Sequence, residues 1–177
     1  MIRRCSVEDY KKLVDGARKQ NPNFHISSDI IVGFPGETDK EFIETVETIE
    51  QIGFGDLHLF RYSPREGTAA LRLPNHVPKE VAKERMTHLR QIAKAAKRNF
   101  LHSLLDQKAK ILWERTAETI DDNILLWKGY TQNYVRVHTQ TNRSHPLFNQ
   151  ITTGTLSSLE EDSILVTELT NGDQLEL

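Results

Sequence analysis

The apolar positions in the first part of the chain follow a helical pattern and then a strand pattern. A Ser6–Asp9 start signal precedes apolar residues at helical spacing, which predicts a helix over 7–20. Apolar runs predict strands over 26–32 and 56–63, and a capping box at Thr38 predicts a helix between them. This order of elements is typical of a parallel crossover, so an α/β fold is expected here. The inner face of the first helix is predicted to carry Tyr10, Leu13, Val14 and Ala17.

Two further features shape this part of the chain. The β-branched run at 29–32 predicts a strand that is buried on both faces. Pro78 opens a long helix whose apolar positions fall mostly three and four apart: Met86, Leu89, Ala93, Ala96, Phe100 and Leu104. The other faces of this helix are predicted to carry Lys79, Lys83, Arg85, Arg90, Lys94, Lys97 and Arg98. Such a face is typical of a solvated helix, and a phosphate-tracking role is the alternative.

From about residue 108 the sequence changes to short strand-like runs separated by polar turns, with the domain boundary expected near 101–107. The runs lie at 108–114, 123–130, 134–139 and 163–169. Together they predict a small antiparallel β-barrel. We therefore expect two domains, an α/β domain over 1–103 and an all-β barrel over 104–177.

Composition narrows the classes of function. The chain has 177 residues with 27% charged and 37% hydrophobic side chains, and no apolar run is long enough to cross a bilayer. The expectation is a cytosolic protein without a membrane partner. A net charge of -2 argues against binding polyanions with the whole surface, so any nucleic-acid site must be local. The single cysteine, Cys5, excludes an internal disulfide and any metal site built from cysteines alone.

The first candidate for chemistry is the loop after the first strand. In a parallel sheet ligands lie beyond the carboxyl ends of the strands, where Gly33 and Gly36 allow a close backbone approach. A nucleoside or a carboxylate fits such a loop, and a plain strand-to-helix turn is the alternative. Glu37 suits a ribose hydroxyl or an amine, or it serves only the helix dipole. A phosphate loop is excluded because no Gly-Lys-Ser/Thr follows.

The second candidate lies on the barrel. Alternation along "NYVRVH" predicts Val135 and Val137 on one face, and Tyr134, Arg136 and His138 on the other. An aromatic side chain beside a cation on a small barrel is a recurrent means of binding unpaired RNA, although such faces also occur without a ligand. The histidines are scattered, and no metal site or hydrolytic triad is predicted.

In combination, four segments resemble radical S-adenosylmethionine methylthiotransferases. They are "SSDIIVGFPGETDKEF", "FRYSPREGTAA", "VPKEVAKERMTHL" and "GYTQNYVRV", in that order. The chain is similar to the carboxyl-terminal portion of that family, which comprises the last strands of the radical barrel, its closing helix and the tRNA-binding TRAM barrel. "GYTQNYVRV" is closer to the enzymes that act on threonylcarbamoyladenosine beside the anticodon than to those acting on isopentenyladenosine or a ribosomal protein.

The resemblance implies cofactors and site residues. S-adenosylmethionine would be bordered by Gly33, Phe34, Gly36, Glu37, Tyr62 and Ser63. The anticodon stem-loop of tRNA would contact Lys108, Lys110, Tyr130, Asn133, Tyr134 and Arg136. The family also uses two four-iron four-sulfur clusters, held in part by a Cys-x-x-x-Cys-x-x-Cys motif that this sequence lacks. We therefore predict no catalytic or metal-ligating residues, and tRNA binding without catalysis by this chain alone.

Three other expectations follow. A barrel that retains only its last strands exposes the edge of the strand at 26–32, which predicts self-association or partial disorder there. A stand-alone RNA-binding module without chemistry is the main alternative to a part of a methylthiotransferase. A third possibility is that the chain is the remnant of a gene that no longer functions.

Overall fold

The computed structural model describes residues 6–171, and the chain divides into two units between Phe100 and Leu101. Cys5 lies outside the described residues. The first unit contains two strands and three helices, of which the last continues past the division: α1 Val7–Gln20, β1 Ser27–Val32, α2 Asp39–Ile52, β2 Asp56–Arg61 and α3 Lys79–Ser103. A short 3₁₀ helix, Ala69–Arg72, lies in the loop before α3.

Capping boxes begin the first two helices, as the sequence predicts. The Asp9 amide donates to Ser6 Oγ at 3.1 Å, and the Glu41 amide donates to Thr38 Oγ1 at 3.2 Å. The reciprocal bonds stabilise the charged carboxylates: the Ser6 side chain lowers the pKa of Asp9, and the Thr38 amide lowers that of Glu41. Gly53 ends α2 in the left-handed conformation, which a residue without a Cβ adopts readily.

The strands β1 and β2 pair in parallel, from Ser27 opposite Asp56 to Val32 opposite Arg61. The predicted parallel crossover is therefore confirmed. Residues of the helices, the strands and the adjoining loops form the core of this unit: Val14, Ile26, Val32, Phe42, Ile49, Ile52, Phe54, Leu57, Met86 and Leu89.

The prediction that β1 is buried on both faces is wrong. Along the strand, Ser27, Asp29 and Ile31 are exposed, and Ile31 faces the same side as its exposed partner Phe60. Among the described residues the sheet has two strands, and the helices pack against only one of its faces, the one toward the core. Leu13 is also exposed, against the prediction for α1. The side of this helix that faces the core carries Tyr10, Val14 and Ala17 instead.

The second unit is a barrel of five strands with one short additional strand. The strands are β3 Lys108–Trp113, β4 Glu118–Thr119, β5 Ile124–Thr131, β6 Arg136–Asn142, β7 Ile151–Glu160 and β8 Ser163–Asn171. The ring runs β3-β7-β8-β6-β5 and closes because β5 pairs with β3. Ile111, Trp113, Val137, Leu156, Ile164 and Val166 fill it.

The predicted barrel is confirmed, but it is mixed rather than wholly antiparallel. The one parallel pair joins β6 to β8, with Val137 opposite Ile164. A closed ring with an odd number of strands cannot alternate direction all the way round, so one neighbouring pair must run parallel. The sequence predicted four strands and missed β7, so the expected number of strands was even.

The strand β7 carries a buried hydrogen bond of the barrel. The Trp113 indole donates from Nε1 to Thr152 Oγ1 at 2.8 Å, and both side chains are buried. An indole N–H buried without an acceptor is costly, so Thr152 is a required partner for a core tryptophan.

Thr152→Val is expected to destabilise the barrel by about 1–3 kcal/mol, because it leaves this N–H buried and unpaired. Urea unfolding monitored by tryptophan fluorescence measures the effect, since both tryptophans, Trp113 and Trp127, lie in the barrel. Thr153→Val on the outer face is the matched control. Equal stability losses in the two variants would contradict the assigned role.

Candidate nucleic-acid interface

Cross-strand pairing aligns four exposed side chains on the outside of the barrel. Leu112 lies opposite Ile151 on one side and Tyr130 on the other, and Tyr130 lies opposite Arg136. Residues that are directly opposite share a face of the sheet, so these four form one line across β7, β3, β5 and β6. We call Ile151, Leu112, Tyr130 and Arg136 the outer row.

Tyr134 stands beside this row but is not part of a strand. The sequence predicted a strand from 134, whereas β6 begins at Arg136, and Tyr134 lies in the turn with φ +60°. The turn is held by the Tyr134 amide, which donates to the Thr131 carbonyl at 3.0 Å, and by the Val135 amide, which donates to Thr131 Oγ1 at 3.0 Å. The Tyr134 ring is 81% exposed and lies 6.5 Å from that of Tyr130.

The other predicted residues of this surface divide into exposed ones and ones that shape the turn or the core. Lys108 and Lys110 are exposed on the outer face of β3, which also carries Leu112. Asn133 accepts a hydrogen bond from Thr131 Oγ1 at 2.5 Å, so it contributes to the shape of the turn. As predicted, Val135 and Val137 are buried while Arg136 is exposed.

The cations of this face differ in whether a carboxylate already neutralises them. Within residues 6–171, Lys108, Lys110 and Arg136 form no ion pair. By contrast, Lys128 pairs with Glu118. Unneutralised cations are the ones that offer a free charge to an incoming phosphate.

A groove of about 440 Å³ runs along one side of the outer row. One wall carries Lys128, Arg136 and His138, and the other carries the β7–β8 turn with Glu160, Glu161 and Asp162. The surface therefore changes from basic to acidic within the width of this groove. Sequence reasoning did not find this boundary, because β7 was not predicted.

The other candidate site, the loop after β1, is anchored to α3 by a buried arginine. Arg85 Nη1 lies 2.7 Å from Glu37 Oε2, and Nη2 lies 2.6 Å from Asp39 Oδ1. The Gly33 amide donates to Glu37 Oε2 at 2.7 Å. Burial acts to lower the pKa of Arg85, but the bonds to Asp39 and Glu37 together raise it. Arg85 is thus not on the solvated helix face that its spacing predicted; it is 7% exposed.

Five of the six predicted cofactor residues lie in this loop or against it. Gly33 is left-handed, and a Cβ there would lie 2.9 Å from that of Ala82. The Phe34 and Tyr62 rings meet edge to face at 5.3 Å, and the Tyr62 hydroxyl is buried without a hydrogen-bond partner among the described residues. Glu37 lies in the same loop but is occupied by Arg85. Gly36 and Ser63 are exposed.

Two classes of feature are not found within residues 6–171. No group of three or more histidine, cysteine, aspartate or glutamate side chains is arranged to hold a metal ion there. None of the helices in that range combines the length and apolarity that spanning a membrane requires.

Curated proteins match most of this chain. It is 30% identical over 151 residues to tRNA-2-methylthio-N(6)-dimethylallyladenosine synthase of Ehrlichia chaffeensis, which covers 85% of this chain and 34% of that protein. It is 40% identical over 114 residues to threonylcarbamoyladenosine tRNA methylthiotransferase MtaB of Thermotoga maritima, or 64% of this chain and 26% of that protein. The dimethylallyladenosine synthase of Oceanobacillus iheyensis is 38% identical over 132 residues, with shares of 75% and 25%. No protein-family model matches the chain.

This chain is related to the tRNA methylthiotransferases. The predicted resemblance is thereby confirmed at the level of the family, and the barrel is TRAM-like. The match of 151 residues extends into both units, because it is longer than either of them, Met1–Phe100 or Leu101–Leu177. The chain spans about a third or less of the length of these methylthiotransferase relatives.

In this relative of the methylthiotransferases, Arg85→Met is expected to destabilise the first unit by about 3 kcal/mol, because it leaves the Glu37 carboxylate largely buried without its cation. Far-UV circular dichroism during urea unfolding reports on the helices of this unit. Lys83→Met, an exposed position on α3, is the control. An Arg85→Met variant as stable as the control would show that the ion pair is not what anchors the loop.

Proposed function

We propose that this chain supplies tRNA recognition to a methylthiotransferase, through the TRAM-like barrel. The observation that carries the proposal is the similarity to proteins named as tRNA-modifying enzymes, which extends into both units. The barrel offers what RNA binding needs: exposed Tyr130 and Tyr134 for stacking, and Arg136, Lys108 and Lys110 for phosphates. The anticodon stem-loop is the proposed ligand.

The substrate that we propose is threonylcarbamoyladenosine next to the anticodon. The segment "GYTQNYVRV" at 129–137 favours this type, and the relative of that name from Thermotoga maritima is 40% identical. Relatives named as dimethylallyladenosine synthases are matched over a larger share of the chain, so that nucleoside is the alternative substrate. Action on a ribosomal protein is the other alternative.

The loop after β1 fits S-adenosylmethionine only in part. The buried Tyr62 hydroxyl is available to a polar ligand, and the space around Gly36 is open. Glu37 is not available, because Arg85 and the Gly33 amide occupy its carboxylate. The cofactor would supply the methyl group and the radical chemistry, while Phe34 and Tyr62 would border it.

The residues present do not fit the two iron-sulfur clusters that the family resemblance implies. A cluster of this kind needs several thiolates, and the sequence has the single cysteine Cys5. We therefore propose no catalytic step for this chain alone. A stand-alone RNA-binding module that acts in the cytosol without chemistry of its own is the second candidate.

The proposal predicts that the chain prefers an anticodon stem-loop to a scrambled hairpin, and that Tyr134→Ala with Arg136→Gln weakens binding about tenfold or more. The loss arises because one stacking surface and one free cation disappear. Fluorescence anisotropy across a salt series measures both the affinity and the salt slope. The matched control is Phe148→Ala with Arg143→Gln, an exposed aromatic and arginine elsewhere on the barrel. Unchanged affinity in the Tyr134 and Arg136 variant, or an equal loss in the control, would refute the assignment.

We also propose self-association through the free edge of β1. Among the described strands β1 pairs only with β2, so its other edge exposes backbone hydrogen-bonding groups next to the apolar Ile31. A second copy that adds its own strand would satisfy these groups.

Ile31→Lys is expected to shift the chain from dimer to monomer in sedimentation velocity, because a charge at the edge blocks strand addition. Ile43→Lys on the exposed side of α2 is the control and should leave the dimer intact. A compact wild-type monomer at high concentration would exclude this mode of association.

A further inference from the structure

We infer that the outer row takes unpaired RNA bases, so that the barrel binds single-stranded or looped RNA in preference to a duplex. This inference rests on the proposed RNA-binding function and deepens it. It assigns a role to Leu112 and Ile151, two aliphatic residues that the charge and aromatic patterns of the sequence did not single out.

The chemistry of the row favours base faces over a phosphate backbone. Leu112 is 51% exposed, Ile151 46% and Tyr130 38%, and they are neighbours in register. With strands about 4.8 Å apart, the four residues span about 14 Å. A duplex presents phosphates and sugars, from which aliphatic side chains gain little. Unstacked bases present apolar faces that a hydrophobic platform covers.

The distribution of free charge indicates where the phosphates lie. Lys110 is the next outward-facing residue after Leu112 on β3, and Lys108 follows it; neither has an ion-pair partner within the described range. On the opposite side of the row, Lys128 is already paired with Glu118, and the groove beside it is lined by the acidic Glu160–Asp162 turn. The backbone of a bound strand should therefore run along the Lys108–Lys110 side, away from the acidic turn.

The test compares a single-stranded oligouridine with a duplex RNA of the same length, both titrated into the full chain. We expect the single strand to bind at least tenfold more tightly. Leu112→Ser and Ile151→Thr, separately and together, should weaken single-strand binding about fivefold to tenfold without changing the salt slope, since no charge is removed. Lys108→Gln with Lys110→Gln should instead reduce that slope.

Ile120→Ser is the matched control, because Ile120 is a half-exposed aliphatic residue of the barrel outside the row. Tryptophan fluorescence on urea unfolding verifies that each variant is folded. Equal binding to duplex and single strand, or unchanged single-strand binding in the folded double variant, would overturn this inference while leaving RNA binding itself intact. A wild-type chain that binds neither RNA would overturn the proposed function as well.

Discussion

The pairing of β3 with β5 is the constraint on which the candidate interface depends. It closes the ring of five strands and thereby sets Leu112 beside Tyr130 on the outside and Trp113 in the interior. Because the ring is odd, closure also requires the parallel contact of β6 with β8, which is short and starts at Val137. The surface that we assign to RNA is thus a consequence of closure: three separate strand pairings place its four members in line.

The first unit follows a different design. Its two-stranded sheet is open, and its loop after β1 is fixed by charge rather than by strand pairing. Arg85 pairs with Glu37 and Asp39, and Glu37 in turn accepts the Gly33 amide. These ion pairs hold the loop together with backbone hydrogen bonds such as that from the Gly36 amide to the Asn75 carbonyl. The Glu37 carboxylate, for which the sequence left a ligand role and a helix-dipole role open, is occupied in this way. The buried Tyr62 hydroxyl is then the polar group that the loop leaves open.

Signals between residues close in sequence were enough to predict the helices of this chain. Features that depend on residues far apart in the sequence were not predicted. The capping boxes at Ser6 and Thr38 predicted helix starts because their partners lie three residues away. The strand β7 was missed because three of its ten residues are glycine or serine, which are typical of turns, and because its inward face begins with Thr152 and Gly154 instead of large apolar residues. Arg85 was placed on a solvated face because the acids that bury it come from another element.

For the same reason, only part of the candidate site was predicted from the sequence. Tyr134 and Arg136 were identified from alternation, although Tyr134 lies in a turn whose geometry depends on Thr131. Leu112 and Ile151 join the site only through register, which composition does not reveal.

The most direct test of the account is an amide chemical-shift titration of the isotope-labelled chain with an anticodon stem-loop. The account predicts that the largest shifts fall at Leu112, Tyr130, Tyr134, Arg136 and Ile151, with β8 little affected. Shifts centred on the acidic Glu160–Asp162 turn, or no shifts in the barrel at saturating RNA, would contradict it.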